Sequence, residues 1–408
     1  MATCEDATAL RDELVRLRRS LHTDPEVGLN LPRTQEKVLG ALDGLPLEIS
    51  TGSRLSSVTA VLRGGRPGPA VLLRADMDAL PVTERTGLEF SSATPGVMHA
   101  CGHDLHTTML IGAAHVLAAR RRDLTGDVVL MFQPGEEGCD GAGAMLAEGI
   151  LEAAGPRPVA AYALHVFTTD FPTGIFMARS GATMAATNDV DVTVIGAGGH
   201  ASAPHRAKDP VPAACEMVTA LQTMVSRTCD PFDPVVLTIG SFHAGTRRNV
   251  IPEAVRLEGT VRTFSTRAQN RMQDAVVTLV RQIAAAHGLR AEVEFTKRYP
   301  VTVNDERETA FVRSTVTETF GEHRFRPLAH PLTGAEDFSR ILGEVPGSLV
   351  MLGAAPSGAD PSTVANNHSP YAEFDEGVLC DGAALYADLA TRRLSAQPAG
   401  GLASTLAC

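Results

Sequence analysis

The sequence predicts an α/β chain interrupted by an α+β insertion, and three observations carry that reading. Short continuous apolar runs such as Val128-Val-Leu-Met-Phe132 and Ser348-Leu-Val-Met-Leu352 read as strands buried on both faces of a sheet, with helical stretches between them. Around Ala185 the pattern changes: Asp189-Val-Asp-Val-Thr-Val-Ile195 alternates polar and apolar residues, and the order through Arg298 becomes β-α-β-β-α-β, that of a ferredoxin-like unit. After Tyr299-Pro300 the α/β character returns. Residues 1–185 and 299–408 are therefore expected to form one discontinuous domain, and residues 186–298 an inserted domain of about 110 residues.

Taken in order, Leu10, Leu14, Leu17 and Leu21 fall at helical spacing and open the chain on an amphipathic helix, and a second helix is expected over Arg33 to Leu42. Strands follow at Ser57 to Leu62 and Ala70 to Leu73, separated by a Gly/Pro turn at Gly64 to Pro69. The second strand leads into Arg74-Ala-Asp-Met-Asp-Ala-Leu-Pro81, and strand ends in open α/β sheets are where ligands sit, so Asp76 and Asp78 mark a place for chemistry. A helix over Thr107 to Arg120, the strand Val128 to Phe132, a helix over Ala142 to Glu152 and a strand from Val159 to Leu164 ending on His165 complete the first half. In the insertion, strands are expected at Asp189 to Ile195, Val235 to Ile239, Val255 to Thr263 and Ala291 to Arg298, with helices at Pro212 to Ser226 and Ala268 to His287. Beyond it, Gly334-Ala-Glu-Asp-Phe338 begins a short helix, Ser348 to Leu352 is a strand, Asp375 to Arg393 is the final helix and the tail from Ser395 is expected to fray.

Composition excludes several classes. A formal net charge of −11 over 408 residues argues against non-specific nucleic-acid binding, which needs a basic face. Met1 to Arg19 mixes acids with arginines and has no long apolar core, so it reads as neither a signal peptide nor a membrane anchor, and a cytoplasmic location is expected. The seven cysteines are odd in number and lack paired spacing, which suits reduced thiols. Gly196, Gly198 and Ala201 mimic a dinucleotide-binding turn, but Pro204, Pro210 and Pro212 prevent a helix from starting where a pyrophosphate would sit.

The densest chemistry lies in His99-Ala-Cys-Gly-His-Asp-Leu-His106, three imidazoles and a thiol within eight residues. Cys101 and His103 on a loop or turn can face one ion, and thiolate with imidazole suits a zinc-like divalent metal. Further ligands must come from elsewhere. Glu136 and Glu137 follow a buried strand, where adjacent side chains can divide the work of binding metal and holding a water. His165 and His368 are metal-competent residues at a strand end and in a polar loop.

Together these segments, with Phe132-Gln-Pro-Gly-Glu-Glu-Gly138, Gly199-His-Ala-Ser-Ala-Pro-His205, Asn249-Val-Ile-Pro252 and His368-Ser-Pro370, resemble the M20 family of metallopeptidases, specifically its amidohydrolase subgroup of aminoacylases, hippurate hydrolases and indole-acetyl-amino-acid hydrolases. The resemblance implies a mixed-sheet, zinc-peptidase-like catalytic domain whose insertion is a lid and dimerisation domain, and hence a homodimer. It implies metal ligands at Cys101, His103, Glu137, His165 and His368, with Cys101 bridging where two ions bind, and a general base at Glu136. His200 and Asn249 match residues that reach the substrate, often across a dimer interface; His200 could donate to an oxyanion as the insertion closes about residues 184–187 and 298–300. Arg262 matches a position that binds the substrate carboxylate. The implied reaction is hydrolysis of N-acyl amino acids with one or two ions of Zn²⁺, Mn²⁺, Co²⁺ or Ni²⁺ per subunit. A dipeptidase or carboxypeptidase on the same centre is the alternative, and a non-catalytic binding protein of the same fold is disfavoured because no ligand or base is missing. Two departures from the subgroup stand out: Gly135 where Ala is commoner, and an extended Pro/Gly loop between Glu137 and His165.

Overall fold

Val71, Leu72 and Leu73 are fully buried, as are Val128 to Phe132 and Leu349 to Leu352, because these runs lie inside a sheet covered on both faces. The computed structural model describes residues 2–396. It resolves the chain into two units, one from the N-terminus to Gly181, Asn304–Ala329 and from Arg340 onward, the other of Ala182–Val303 with His330–Ser339. The last segment joins the second unit because it pairs with the chain's entry strand: Leu332 N donates to Thr183 O and Ala185 N to Leu332 O.

The first unit is built on an eight-stranded mixed sheet in the order Leu47–Thr51, Val58–Leu62, Thr125–Gln133, Arg66–Asp76, Pro158–Phe167, Gly347–Gly353, Phe176–Ala178 and Phe325–Pro327. Arg66–Asp76 runs parallel to both of its neighbours, and Gly347–Gly353 runs parallel to Pro158–Phe167. Their carboxyl ends therefore share one edge, which is where this architecture places ligands. The helix His103–Ala119 is apolar nearly all round because it is buried nearly all round. From the helix Leu379–Ser395, the Tyr386 hydroxyl donates to Arg74 O at 2.6 Å and accepts from Leu164 N at 2.8 Å, fixing two parallel strands against each other.

The second unit places Val235–Ala244, Ala254–Thr263, Ala186–Ile195 and Arg290–Lys297 in one antiparallel sheet, in that order. Val190, Val192, Val194, Leu257 and Val261 bury one face of it against the helices Pro210–Thr228 and Thr266–Ala286. Each helix starts on a side-chain cap, Asp209 accepting from Val211 N and Ser265 from Ala268 N.

The structure revises several expected elements. The Gly/Pro segment at 64–69 is largely strand, since Arg66–Asp76 starts there and absorbs the irregularity as a bulge between Arg66 and Ala70. The region 142–152 is two pieces, Gly141–Ala147 and Ile150–Glu152, broken where Gly149 takes φ +86°. The short helix after Gly334 starts later, at Ser339. The helix Glu306–Phe320 escapes the periodicity reading because Thr309, Val312, Thr315, Val316, Thr317 and Thr319 are β-branched and weaken its helical signal. Its cap was the available sign: Asp305 accepts from Arg307 N and Glu308 N. The tail beyond Ala396, expected to fray, lies outside the described residues. Among the described residues no helix is long and apolar enough to cross a membrane, and none of the six cysteines is in a disulfide.

Candidate metal centre

Cys101 and His103 meet because Gly102 sits between them at φ +80°, with Val166 packed so closely that a Cβ there would stand 2.4 Å from Val166 Cγ2. Only glycine accommodates both demands, and the chain turns from Cys101 straight into the helix that begins at His103, four residues earlier than expected. His165 comes from the neighbouring strand, which runs on to Phe167 and so carries the histidine within it rather than at its end. Cys101 Sγ lies 3.6 Å from His165 Nε2 and 3.3 Å from His368 Nε2, and His368 Nε2 lies 3.2 Å from Glu137 Oε1. Ligand atoms of Cys101, His103 and His165 lie within 4.8 Å of one another; so do those of Cys101, Glu137 and His368, and those of His103, Glu136 and Glu137. The five expected ligands and the expected base thus converge.

Hydrogen bonding decides which imidazoles are free to bind. His165 Nδ1 lies 2.9 Å from Val166 O, so it carries the proton and leaves Nε2 as a lone pair facing Cys101. Burial holds His165 well below the usual imidazole range and keeps the ring neutral. His106 has no lone pair to spare. Its Nδ1 is 2.6 Å from Asp76 Oδ1 and its Nε2 accepts from Val166 N at 2.8 Å. His103 is fully buried, yet neither of its ring nitrogens makes a hydrogen bond of good geometry, the nearest carboxylate oxygens being Asp78 Oδ1 at 3.5 Å and Asp76 Oδ2 at 3.8 Å. A buried imidazole left this way, facing a thiol and carboxylates, fits a divalent cation. Without one, protons take its place: hydrogen bonds to Cys101 and Glu137 push His368 up to about 10.

Glu136 and Glu137 occupy a turn between Gly135 at φ +73° and Gly138 at φ +84°. Their backbone N–H groups both donate to the buried carboxylate of Asp78, at 2.9 and 3.0 Å. Asp76 is the end of a different chain of contacts. Burial acts to raise its pKa, but His103, Arg74 and His106 overcome that and hold it well below the usual range. Arg74 Nη1 pairs with it at 2.6 Å.

In the second unit, His200 and Asn249 come together. His200 pairs with Val250 in a two-stranded ladder, and Ala201 N donates to Asn249 O at 3.2 Å. Ser202 N donates to His200 Nδ1 at 3.1 Å, so Nε2 carries the proton and is a donor on an exposed ring. Arg262 does not join them. It pairs with Thr187, eight residues along the strand from the Ala254–Ile195 pair that borders the ladder, about 26 Å away at the usual strand rise. It is half-buried, and burial lowers its pKa against the opposing charge of Asp189.

The sequence profile of peptidase family M20/M25/M40 matches residues 72–392, spanning every residue of this centre. The chain belongs to that family. It is 36% identical over 397 residues to thermostable carboxypeptidase 1 of Saccharolobus solfataricus, covering 95% of this chain and 97% of that one. To the N-acetyl-L-cysteine deacetylase of Bacillus subtilis it is 36% identical over 349 residues, 85% of this chain and 81% of that one. A Bacillus subtilis structure described as a dinuclear metal-binding peptidase of the M20 family superposes with a TM-score of 0.81 at 30% identity, covering 95% and 99% of the two chains. This M20 protein is a metal-dependent hydrolase of amide bonds.

The M20 departures now have physical reasons. A Cβ on Gly135 would stand 2.5 Å from Leu29 Cδ2, which would have to move, and its φ is one that side chains disfavour, so alanine would be strained in this turn. The loop between Glu137 and His165 is largely occupied by the two short helical pieces at 141–152, and removes no donor. Asp78, marked in the sequence by its place after a strand, and Asn367, which carries no such mark, both bond to the ligand-bearing segments.

Proposed function

We propose that this M20 hydrolase cleaves N-acyl amino acids to a carboxylic acid and a free amino acid, with Cys101, His103, Glu137, His165 and His368 as metal ligands and Glu136 as general base. The observation that carries the reading is the convergence of six donors with His103 buried and unsatisfied beside Glu136. Two triads share Cys101, so Cys101 with His103 and His165, and Cys101 with Glu137 and His368, would hold up to two ions. A bound divalent ion supplies Lewis acidity that polarises the amide carbonyl and makes water nucleophilic near neutral pH. Glu136 takes the proton of the attacking water and returns it to the leaving nitrogen. The His200 Nε2–H donates to the oxyanion, and the guanidinium of Arg262 holds the substrate's α-carboxylate in a bidentate pair. Zn²⁺, Mn²⁺, Co²⁺ and Ni²⁺ all suit these donors. The free thiols are consistent with a cytoplasmic location.

The roughly 26 Å of strand between Arg262 and the Ala254–Ile195 pair exceeds an acyl amino acid. This separation supports reading the proposed ferredoxin-like insertion as lid and as dimer contact, lending His200 and Asn249 to the centre of a second copy. A carboxypeptidase reading keeps the same centre and carboxylate site, and the name of the Saccharolobus relative favours testing it.

The experiment is release of free amino acid from N-acetyl, N-benzoyl and longer N-acyl amino acids and from dipeptides, with each of the four metals and after chelation. Chelator-sensitive turnover, best on the acyl series, is expected. Turnover of peptides alone selects the carboxypeptidase, and none with any metal overturns the assignment. Co-expressing H200A with E136Q, each inactive alone, should restore about a quarter of wild-type activity if the partner's histidine completes the site.

A further inference from the structure

Asn367 precedes the ligand candidate His368 and touches two other segments that carry ligands. Its Nδ2 donates to Val166 O at 3.0 Å, to Cys101 O at 3.4 Å and to Cys101 Sγ at 3.8 Å, while its Oδ1 accepts from Thr168 N at 3.1 Å and from Thr168 Oγ1 at 3.3 Å. These partners fix which way the amide faces. Reversed, it would set its NH₂ against the Thr168 N–H and its oxygen against two carbonyls and the sulfur. The next residue, His368, holds φ +70°, and its N–H donates to Ala100 O at 2.8 Å, so the loop is held on both sides of the ligand.

We propose that Asn367 is a positioning residue of the metal centre, a single amide that ties the His368 loop to the His165 strand and donates a hydrogen bond to the Cys101 thiolate. The proposal rests on Cys101 being a metal ligand. A donor on a thiolate draws charge from sulfur and weakens what it gives to an ion, while the carbonyl bonds hold Val166 O, which also accepts from His165 Nδ1, in register. Asn367 thus acts on the electronics of one ligand and the placement of two others without binding the ion.

The test is Co²⁺ titration of wild type, N367L, N367D and C101A, read by the thiolate-to-cobalt charge-transfer band and by Co²⁺ affinity. Leucine removes the donor and the acceptor. Aspartate keeps the acceptor for Thr168 N–H but replaces the donor with a charged oxygen facing Val166 O, Cys101 O and the sulfur, which also drives the band to longer wavelength, and it carries the test alone if N367L does not fold. In both variants the band is expected at longer wavelength, with Co²⁺ affinity about 10–100-fold weaker in N367L. Hydrogen exchange at the Thr168 amide should recover in N367D while the band stays shifted, which a purely structural role would not produce. An unmoved band in both variants overturns the proposal. A band missing from the cobalt-loaded wild type, or one that survives in C101A, instead overturns Cys101 as a ligand.

Discussion

Asp78→Asn tests how the base is held. The buried Asp78 carboxylate accepts from Glu136 N and Glu137 N at 2.9 and 3.0 Å. An asparagine keeps one oxygen for one of these N–H groups and turns an NH₂ toward the other, so one charge-assisted bond is lost and one backbone donor is left facing a donor. Losing such a bond and stranding its partner costs about 2–4 kcal/mol together. The same change frees a turn whose two carboxylates must be placed to within a fraction of an ångström, and a displacement near 1 Å costs about 10²-fold in rate. Urea denaturation of the metal-free protein should therefore show a stability loss of that size, and kcat should fall by about two orders of magnitude with the protein still folded. Stability within about 0.5 kcal/mol of wild type together with unchanged kcat would refute the argument. Lost stability with normal kcat would mean that Asp78 holds the fold and not the base.

Glu136→Gln should keep its metal, measured by elemental analysis, and lose about 10²–10⁴-fold in turnover; turnover near the wild-type level excludes it as the base. Metal loading should release protons from the cluster, because His368 is held up to about 10 by Cys101 and Glu137 in the metal-free site. Apparent metal affinity should thus drop about tenfold per displaced proton for each pH unit lowered, and calorimetry in two buffers of different ionisation enthalpy would expose a pH-independent affinity. A second pH effect is on folding. Burial works to raise the Glu84 pKa, but hydrogen bonds from His22, Thr86 and Ser92 N carry it down to about 2, so its stabilisation is present above the unfolded value near 4.3 and lost as pH falls toward 2. His22 is raised, with Asp104 outweighing its burial, so its share is complete below about 6.5 and fades as pH rises through the folded value. The stability gap between wild type and Glu84→Gln, up to about 3 kcal/mol, should be larger at pH 5.5 than at pH 3.5 in chemical denaturation, and an equal gap at both would sink the linkage.

What the sequence reveals and hides follows chain distance. Cys101 with His103, and Glu136 with Glu137, are legible because their spacing is local and the chemistry of a thiolate beside imidazoles is narrow. The switch from continuous to alternating hydrophobicity near Ala185 is equally local, and the observed strands Ala186–Ile195 and Ala254–Thr263 start within one to three residues of where the pattern puts them. By contrast, the bonds from Asp78 to Glu136 N and from Asn367 to Val166 O span 58 and 201 residues. Asparagine in loops is common enough that nothing in its own neighbourhood distinguishes Asn367, and Asp78 has only its place after a strand.

The three-histidine motif shows why residue type alone stops short of a ligand set. His103 and His106 lie three apart on one helix, both are buried, and their ring centres are 5.3 Å apart, so period and burial treat them alike. The difference is made from outside the helix. Arg74 pairs with Asp76, Asp76 takes the Nδ1–H of His106, and Val166 N–H fills the Nε2 of His106. That leaves His106 with no lone pair and fastens the strand beside His165, whose own Nδ1–H is taken by Val166 O. His103 receives no such partner and keeps a nitrogen for an ion. Asp76 thus serves as the acceptor that turns one histidine into a brace for another.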